Sequence, residues 1–171
     1  MSFFLPAALI VVVDQLTKQL VWRHGQTYDF IPGYLHLTLV KNAGAAFGLF
    51  QGGRVFFIVA SIIAAVFVVY VGARMDPQFK WRRVFLGMIL GGAIGNLIDR
   101  VLSGEVIDFI QIGVAGHYWP VFNVADIGVS VGAAFLLIDL LRSRDEHADG
   151  VEPAPNVPAP PSGSSSGPDA S

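Results

Sequence analysis

Two aspartates in an otherwise apolar chain, Asp108 and Asp126, are the residues best placed to do chemistry. Asp108 lies in the run Glu105-Val106-Ile107-Asp108-Phe109, and Asp126 in Phe122-Asn123-Val124-Ala125-Asp126. Two carboxylates at one depth can share a single proton, because like charges a few ångströms apart do not both ionise easily. Such a pair can activate water for hydrolysis without metal, serine or cysteine. Each aspartate also has a plainer explanation. A helix N-terminus stabilises a carboxylate, which accounts for Asp126 equally well. Asp108 could be an outer-loop residue exposed to water.

More polar residues sit in apolar surroundings. A charge at mid-bilayer costs roughly 2.5–3.5 kcal/mol, so such residues normally face the inside of a helix bundle. Asp14 and Lys18 stand four apart on one helical face and can pair. That pair either fixes helix packing or supports a site. Asn96, Asp99 and Arg100 share one face of another helix. They form either an Asp–Arg pair beside a snorkelling arginine, or a polar wall that binds peptide carbonyls or a lipid headgroup. On the same helix Gly87, Gly91 and Gly95 repeat every four residues, a ridge that allows close helix approach.

The elements that must position these residues are membrane helices. The 171-residue chain is 53% apolar and only 14% charged, with a mean hydropathy of +0.58. Ordinary soluble domains carry roughly 25% charged residues. Apolar stretches run over about 3–22, 55–73, 84–102 and 121–141, each near the ~20 residues that span a bilayer as a helix. The expected fold is all-α: a four-transmembrane-helix bundle over residues 1–142. The first stretch contains Asp14 and Lys18 and lacks a basic leader, so it reads as a retained helix rather than a cleaved signal peptide. Six of the 11 basic residues fall in the loop 74–83 and after the fourth stretch. Both termini are therefore expected in the cytoplasm, with 23–54 and 103–120 outside.

Within the outer segment, Leu35-His36-Leu37-Thr38-Leu39-Val40 alternates like a strand, predicting a small extracytoplasmic β-element over about 25–53 that ends in a glycine-rich flap. From Ser143 the composition turns to proline, serine and glycine, predicting a disordered cytoplasmic tail over 143–171. With no cysteine there is neither disulfide nor thiol nucleophile. His24, His36, His117 and His147 lack metal-ligand spacing on a common helix, so no metal and no cofactor is expected. A net charge of −2 without a basic run gives no indication of nucleic acid.

These residues resemble one family, the bacterial lipoprotein signal peptidases (signal peptidase II), over roughly residues 10–140. Five motifs stand in that family's order: Asp14-Gln15-x-Thr17-Lys18, Lys41-Asn42-x-Gly44-Ala45-Ala46-Phe47, Gly95-Asn96-x-x-Asp99-Arg100, Val106-x-Asp108-Phe109 and Phe122-Asn123-x-Ala125-Asp126. The resemblance implies an aspartic endopeptidase that cleaves diacylglyceryl-modified prolipoproteins just before the lipidated cysteine. It implies Asp108 and Asp126 as catalytic, and Asn42, Asn96, Arg100 and Asn123 as substrate-binding. It implies supporting places for Asp14, Lys18, Lys41, Gly44, Phe47 and Asp99. It further implies a monomer in the bacterial inner membrane, in contact with membrane lipid, and a target of globomycin.

Three other functions compete. A non-catalytic membrane assembly or binding protein would explain the glycine ridge but leaves Asp108 without a reason to exist. A small proton-coupled transporter would spread ionisable groups across the bilayer depth, whereas here they gather toward one side. A Ser–Lys peptidase has only Ser61, in an apolar helix middle with no lysine partner.

Overall fold

The computed structural model describes residues 2–25, 27–44 and 53–149. Four helices, α1 (Phe4–His24), α2 (Arg54–Arg74), α3 (Lys80–Leu102) and α4 (Val124–Asp149), carry four strands: β1 (Tyr28–Ile31), β2 (Leu35–Asn42), β3 (Val106–Val114) and β4 (His117–Tyr118). All four helices are long and apolar enough to cross a membrane. Most of their large side chains are exposed, as lipid-facing surfaces require: Leu5, Leu9, Ile63, Val66 and Phe67 are more than half accessible.

The helix ends follow from local chemistry and shift the expected boundaries by a few residues. Helix α1 runs to His24 because Gly25 takes a left-handed conformation (φ 60°) and returns its N–H to the Val21 carbonyl. Helix α3 begins at Lys80, four residues early. Its Arg83 donates to the carbonyls of Gly72 and Met75, satisfying the end of α2. Arg82 reaches Asp139 at 2.5 Å and Ser143 at 3.0 Å on α4. Residues 143–149, expected in the disordered tail, instead extend α4. No glycine or proline falls between Gly132 and Gly150. Residues 150–171 lie outside the described residues.

Helix α3 is the spine, packing against α1, α2 and α4, and α2 packs mainly on α3. Glycines set the approach. A Cβ at Gly87 would lie 2.2 Å from the Phe3 carbonyl oxygen, and one at Gly91 2.6 Å from that of Ala7. On the opposite side, a Cβ at Gly92 would lie 2.3 Å from the Ala125 carbonyl oxygen. The expected ridge thus seats α1, and a second small-residue face seats α4. At one end of the bundle Phe3, Ala7, Val68, Leu86 and Leu90 form a buried cluster.

The sheet is antiparallel in the order β1-β2-β3-β4. The β1–β2 turn places Pro32 and then Gly33 (φ 79°) at its centre, with Tyr34 N–H bonded to the Ile31 carbonyl at 2.9 Å. The β-element is larger than residues 25–53, because β3 and β4 belong to it. Val106-Ile107-Asp108-Phe109-Ile110 is rich in β-branched and aromatic residues, which favours pairing with β2 over a loop. The expected flap, including Phe47, falls largely in 45–52, outside the described residues.

Gly87→Ala should destabilise the bundle by about 1–3 kcal/mol, because the added methyl meets backbone that cannot move aside alone. Thermal unfolding in detergent reads this, and an unchanged midpoint would show that α1 is not seated on that glycine.

Candidate active site

Below the sheet, at the ends of α1 and α3, lies a buried polar cluster. Lys18 is 2% exposed, and its three ammonium protons have three acceptors. These are Asp14 Oδ2 at 2.8 Å, Asp99 Oδ2 at 2.7 Å and Asn96 Oδ1 at 3.2 Å. Gln15 donates to Asp99 Oδ1 at 3.0 Å and to Asp14 Oδ2 at 3.2 Å. Asp14 Oδ1 accepts the Ala125 N–H at 2.9 Å, so a carboxylate from α1 caps the N-terminus of α4. Asp99 Oδ2 accepts the Ile107 N–H at 3.2 Å, tying β3 to α3. Gly95 leaves room for this: a Cβ there would lie 2.7 Å from Asp14 Oδ2.

The Asp14–Lys18 pair thus forms, and Asp99 joins it. Asp99 has no ion pair with Arg100 among the described residues. Adjacent helical residues point in different directions, so Asp99 turns to α1 while Arg100 turns away. Gln15, which sequence reasoning singled out only as part of a motif, is the hydrogen-bonding link between the two carboxylates.

Asn96 passes the cluster on to the aspartates. Its carbonyl oxygen accepts from Lys18 and from Asn123 Nδ2 (3.1 Å), and its amide donates to Asp126 Oδ1 at 2.8 Å. Asn123 precedes the first residue of α4 and is fully buried. Its Oδ1 accepts the Asp126 N–H at 2.9 Å, while Asp126 Oδ2 accepts the Asn123 N–H at 3.2 Å. This reciprocal arrangement is a capping box. The Asn123 amide also donates to Asp108 Oδ1 at 2.7 Å. One residue therefore bonds both aspartates.

Asp108 is held from the other side as well. Asn42 Nδ2 donates to its Oδ2 at 2.9 Å, while Asn42 Oδ1 accepts the Gly44 N–H at 3.0 Å in an Asx turn. Strand β3 is clamped to the start of α4: Phe109 and Ile110 donate to the Phe122 carbonyl, and Phe122 donates back to Ile110. Asp108 is thus a strand residue, 3% exposed, and not a loop residue open to water.

A cavity of about 460 Å³ opens over these groups. Asn42, Gly44, Asn96, Arg100, Asp108 and Asp126 line it. Arg100 lies over the Phe57 ring at 5.1 Å, and its charge acts on both aspartates. Trp119 and Ser130 also contribute walls that sequence reasoning did not single out. Only the fold brings the β4 end and the second turn of α4 to the same opening. Asp14, Lys18 and Asp99 stand behind the cavity rather than in it, and Lys41 faces away from it. Among the described residues no three His, Cys, Asp or Glu converge as a metal site.

Burial pushes the Asp108 carboxyl up to about 6. The neighbouring Asp126 charge adds to the rise, while the Asn42 and Asn123 hydrogen bonds and the Lys18 charge oppose it.

Residues 6–142 match the family model described as signal peptidase (SPase) II. The chain is 41% identical over 138 residues to a lipoprotein signal peptidase of Symbiobacterium thermophilum, covering 79% of this chain and 91% of that relative. It is 40% identical over 144 residues to a lipoprotein signal peptidase of Listeria monocytogenes, covering 81% of this chain and 92% of the relative. A solved structure described as a bacterial membrane enzyme, determined by the in meso method, superposes with a TM-score of 0.77 at 35% identity. The match covers 83% of this chain and 88% of that one.

Asp126→Asn should lower the Asp108 titration midpoint below about 6, since it removes a like charge and leaves the burial. A carboxyl-carbon NMR titration of the detergent-solubilised protein measures it. A midpoint at or above the unsubstituted value would contradict this electrostatic account.

Proposed function

The chain belongs to the signal peptidase II family, membrane peptidases that remove signal peptides from prolipoproteins, and we propose that it does so by aspartic catalysis at Asp108 and Asp126. The observation that carries this reading is the double role of Asn123. It bonds Asp108 through its amide and Asp126 through a capping box, so both carboxylates are fixed at one cavity.

One proton is shared by the pair and belongs to the pair as a whole. Burial raises the Asp108 carboxyl to about 6, and a substrate that excludes further water raises it more. The ionised member of the pair is the base. It draws a proton from a water held between the two as that water attacks the scissile carbonyl carbon. The protonated member then stabilises the developing oxyanion and passes its proton onward. Cleavage falls immediately before the diacylglyceryl cysteine. Arg100, Asn42 and Asn96 present donors for peptide carbonyls or lipid ester oxygens. The lipid chains rest against the exposed helix faces, which keeps the scissile bond at the depth of the carboxylates.

The active site faces outward and both termini lie in the cytoplasm, in line with the basic residues of 74–83 and of the α4 end. Proton-coupled transport is not favoured. The buried ionisable groups form a closed, satisfied cluster in the sheet-side half of the bundle, and α2 carries no acidic or basic residue between Arg54 and Arg74.

Asp108→Asn and Asp126→Asn should each lower cleavage of a diacylglyceryl prolipoprotein by about 100-fold or more, in folded protein. Globomycin should block the turnover of the unsubstituted enzyme in the same gel-shift assay. Substantial cleavage by either variant removes the aspartic mechanism.

A further inference from the structure

Neighbouring residues of a strand point to opposite faces. On β2 and β3, Lys41 pairs with Ile107, flanked by the pairs Val40 with Asp108 and Asn42 with Val106. Asn42, Val106 and Asp108 line the cavity described above. Lys41 and Ile107 line a different one, of about 320 Å³, on the back of the same ladder.

Helix α1 contributes Gln19, Trp22 and Arg23 to this second cavity, and the α3–β3 junction contributes Ser103 and Glu105. Lys18 at its floor is shared between Asp14 and Asp99, which leaves that cluster one net negative charge. Arg23, Lys41 and Glu105 have no ion pair among the described residues. Lys41 Nζ is instead held over the Trp22 ring, at 4.7 Å. The cavity lies where α1 and α3 end, at His24 and Leu102, so its mouth is at headgroup depth, where tryptophan concentrates. Leu102 in its wall is 79% exposed and offers an apolar flank for acyl chains.

Two cations and one carboxylate around an open cavity fit an anion with a cation tethered to it. We propose that this back cavity binds the headgroup of a zwitterionic aminophospholipid, with its phosphate between Arg23 and Lys41 and its primary ammonium at Glu105. A purely anionic headgroup leaves Glu105 facing like charge, and a quaternary ammonium has no N–H to donate to it. The bound lipid would brace the strand residues next to Asn42 and Asp108 from behind. The site stands apart from the peptidase reading, so its test reads lipid retention and not cleavage.

The test is native mass spectrometry of the full-length protein in detergent micelles. Phosphatidylethanolamine, phosphatidylglycerol and phosphatidylcholine are supplied at equal concentration. Phosphatidylethanolamine should be retained about fivefold over the other two, and Arg23→Gln and Glu105→Gln should each remove that preference. Arg23→Lys, which keeps the charge, should restore most of it. Soluble glycerophosphoethanolamine, the same headgroup without chains, should not displace the lipid at equal concentration. Equal retention of the three lipids overturns the proposal, as does preference for phosphatidylglycerol. So does unchanged retention in both neutralising variants, or displacement by the soluble headgroup.

Discussion

The buried ammonium of Lys18 is the constraint on which the rest of this structure depends. Removing a charge from water costs several kcal/mol unless geometry and hydrogen bonds compensate. Here each of its three protons meets an oxygen, from Asp14, Asp99 and Asn96. The two carboxylates are completed by Gln15 and by the backbone N–H groups of Ala125 and Ile107. Those last two bonds matter most for shape. They fix α4 and β3 to the α1–α3 pair, so one ion cluster sets the register of four elements. A residue slip in any of them would leave a buried charge without its partner.

The aspartates inherit their positions from that cluster. Asn96 touches Lys18 on one side and Asp126 on the other, and Asn123 links Asn96 to Asp108. The chain of bonds from ammonium to carboxylate is short and has few rotatable links. Helix α2 lies outside it. It packs mainly on α3, shows apolar residues to lipid, and reaches the site through Phe57 beneath Arg100. On the substrate side of the cavity the Arg100 guanidinium is held by the Phe57 ring and donates no hydrogen bond to a described residue.

Much of this was readable in the sequence, for identifiable reasons. Lipid demands about 20 apolar residues per crossing, so the helices stood out by length alone. Their ends were less legible. The stop at Gly25 depends on a left-handed glycine, and the start at Lys80 on carbonyls that Arg83 reaches from another helix. Strand β3 carried a β-branched signal, yet its aspartate made it resemble a loop. Only pairing with β2 decides between them. Asn123-x-x-Asp126 is a helix-start signature, and it set the true beginning of α4 three residues after the apolar run opens. The partnership of Lys18 with Asp99 was not legible, because the two lie on different helices and only their packing brings them together. For the same reason no local pattern pointed to Trp119 or Ser130 as cavity walls.

A double-mutant cycle between Lys18→Met and Asp99→Asn, read by reversible unfolding in detergent, tests this account most directly. Removing the lysine alone strands two carboxylates, whereas removing Asp99 as well takes one of them away. The two losses should therefore fall short of additivity by about 1 kcal/mol or more, with the double variant more stable than Lys18→Met alone. Losses that simply add would mean that the ammonium is not the joint holding these helices and strands together.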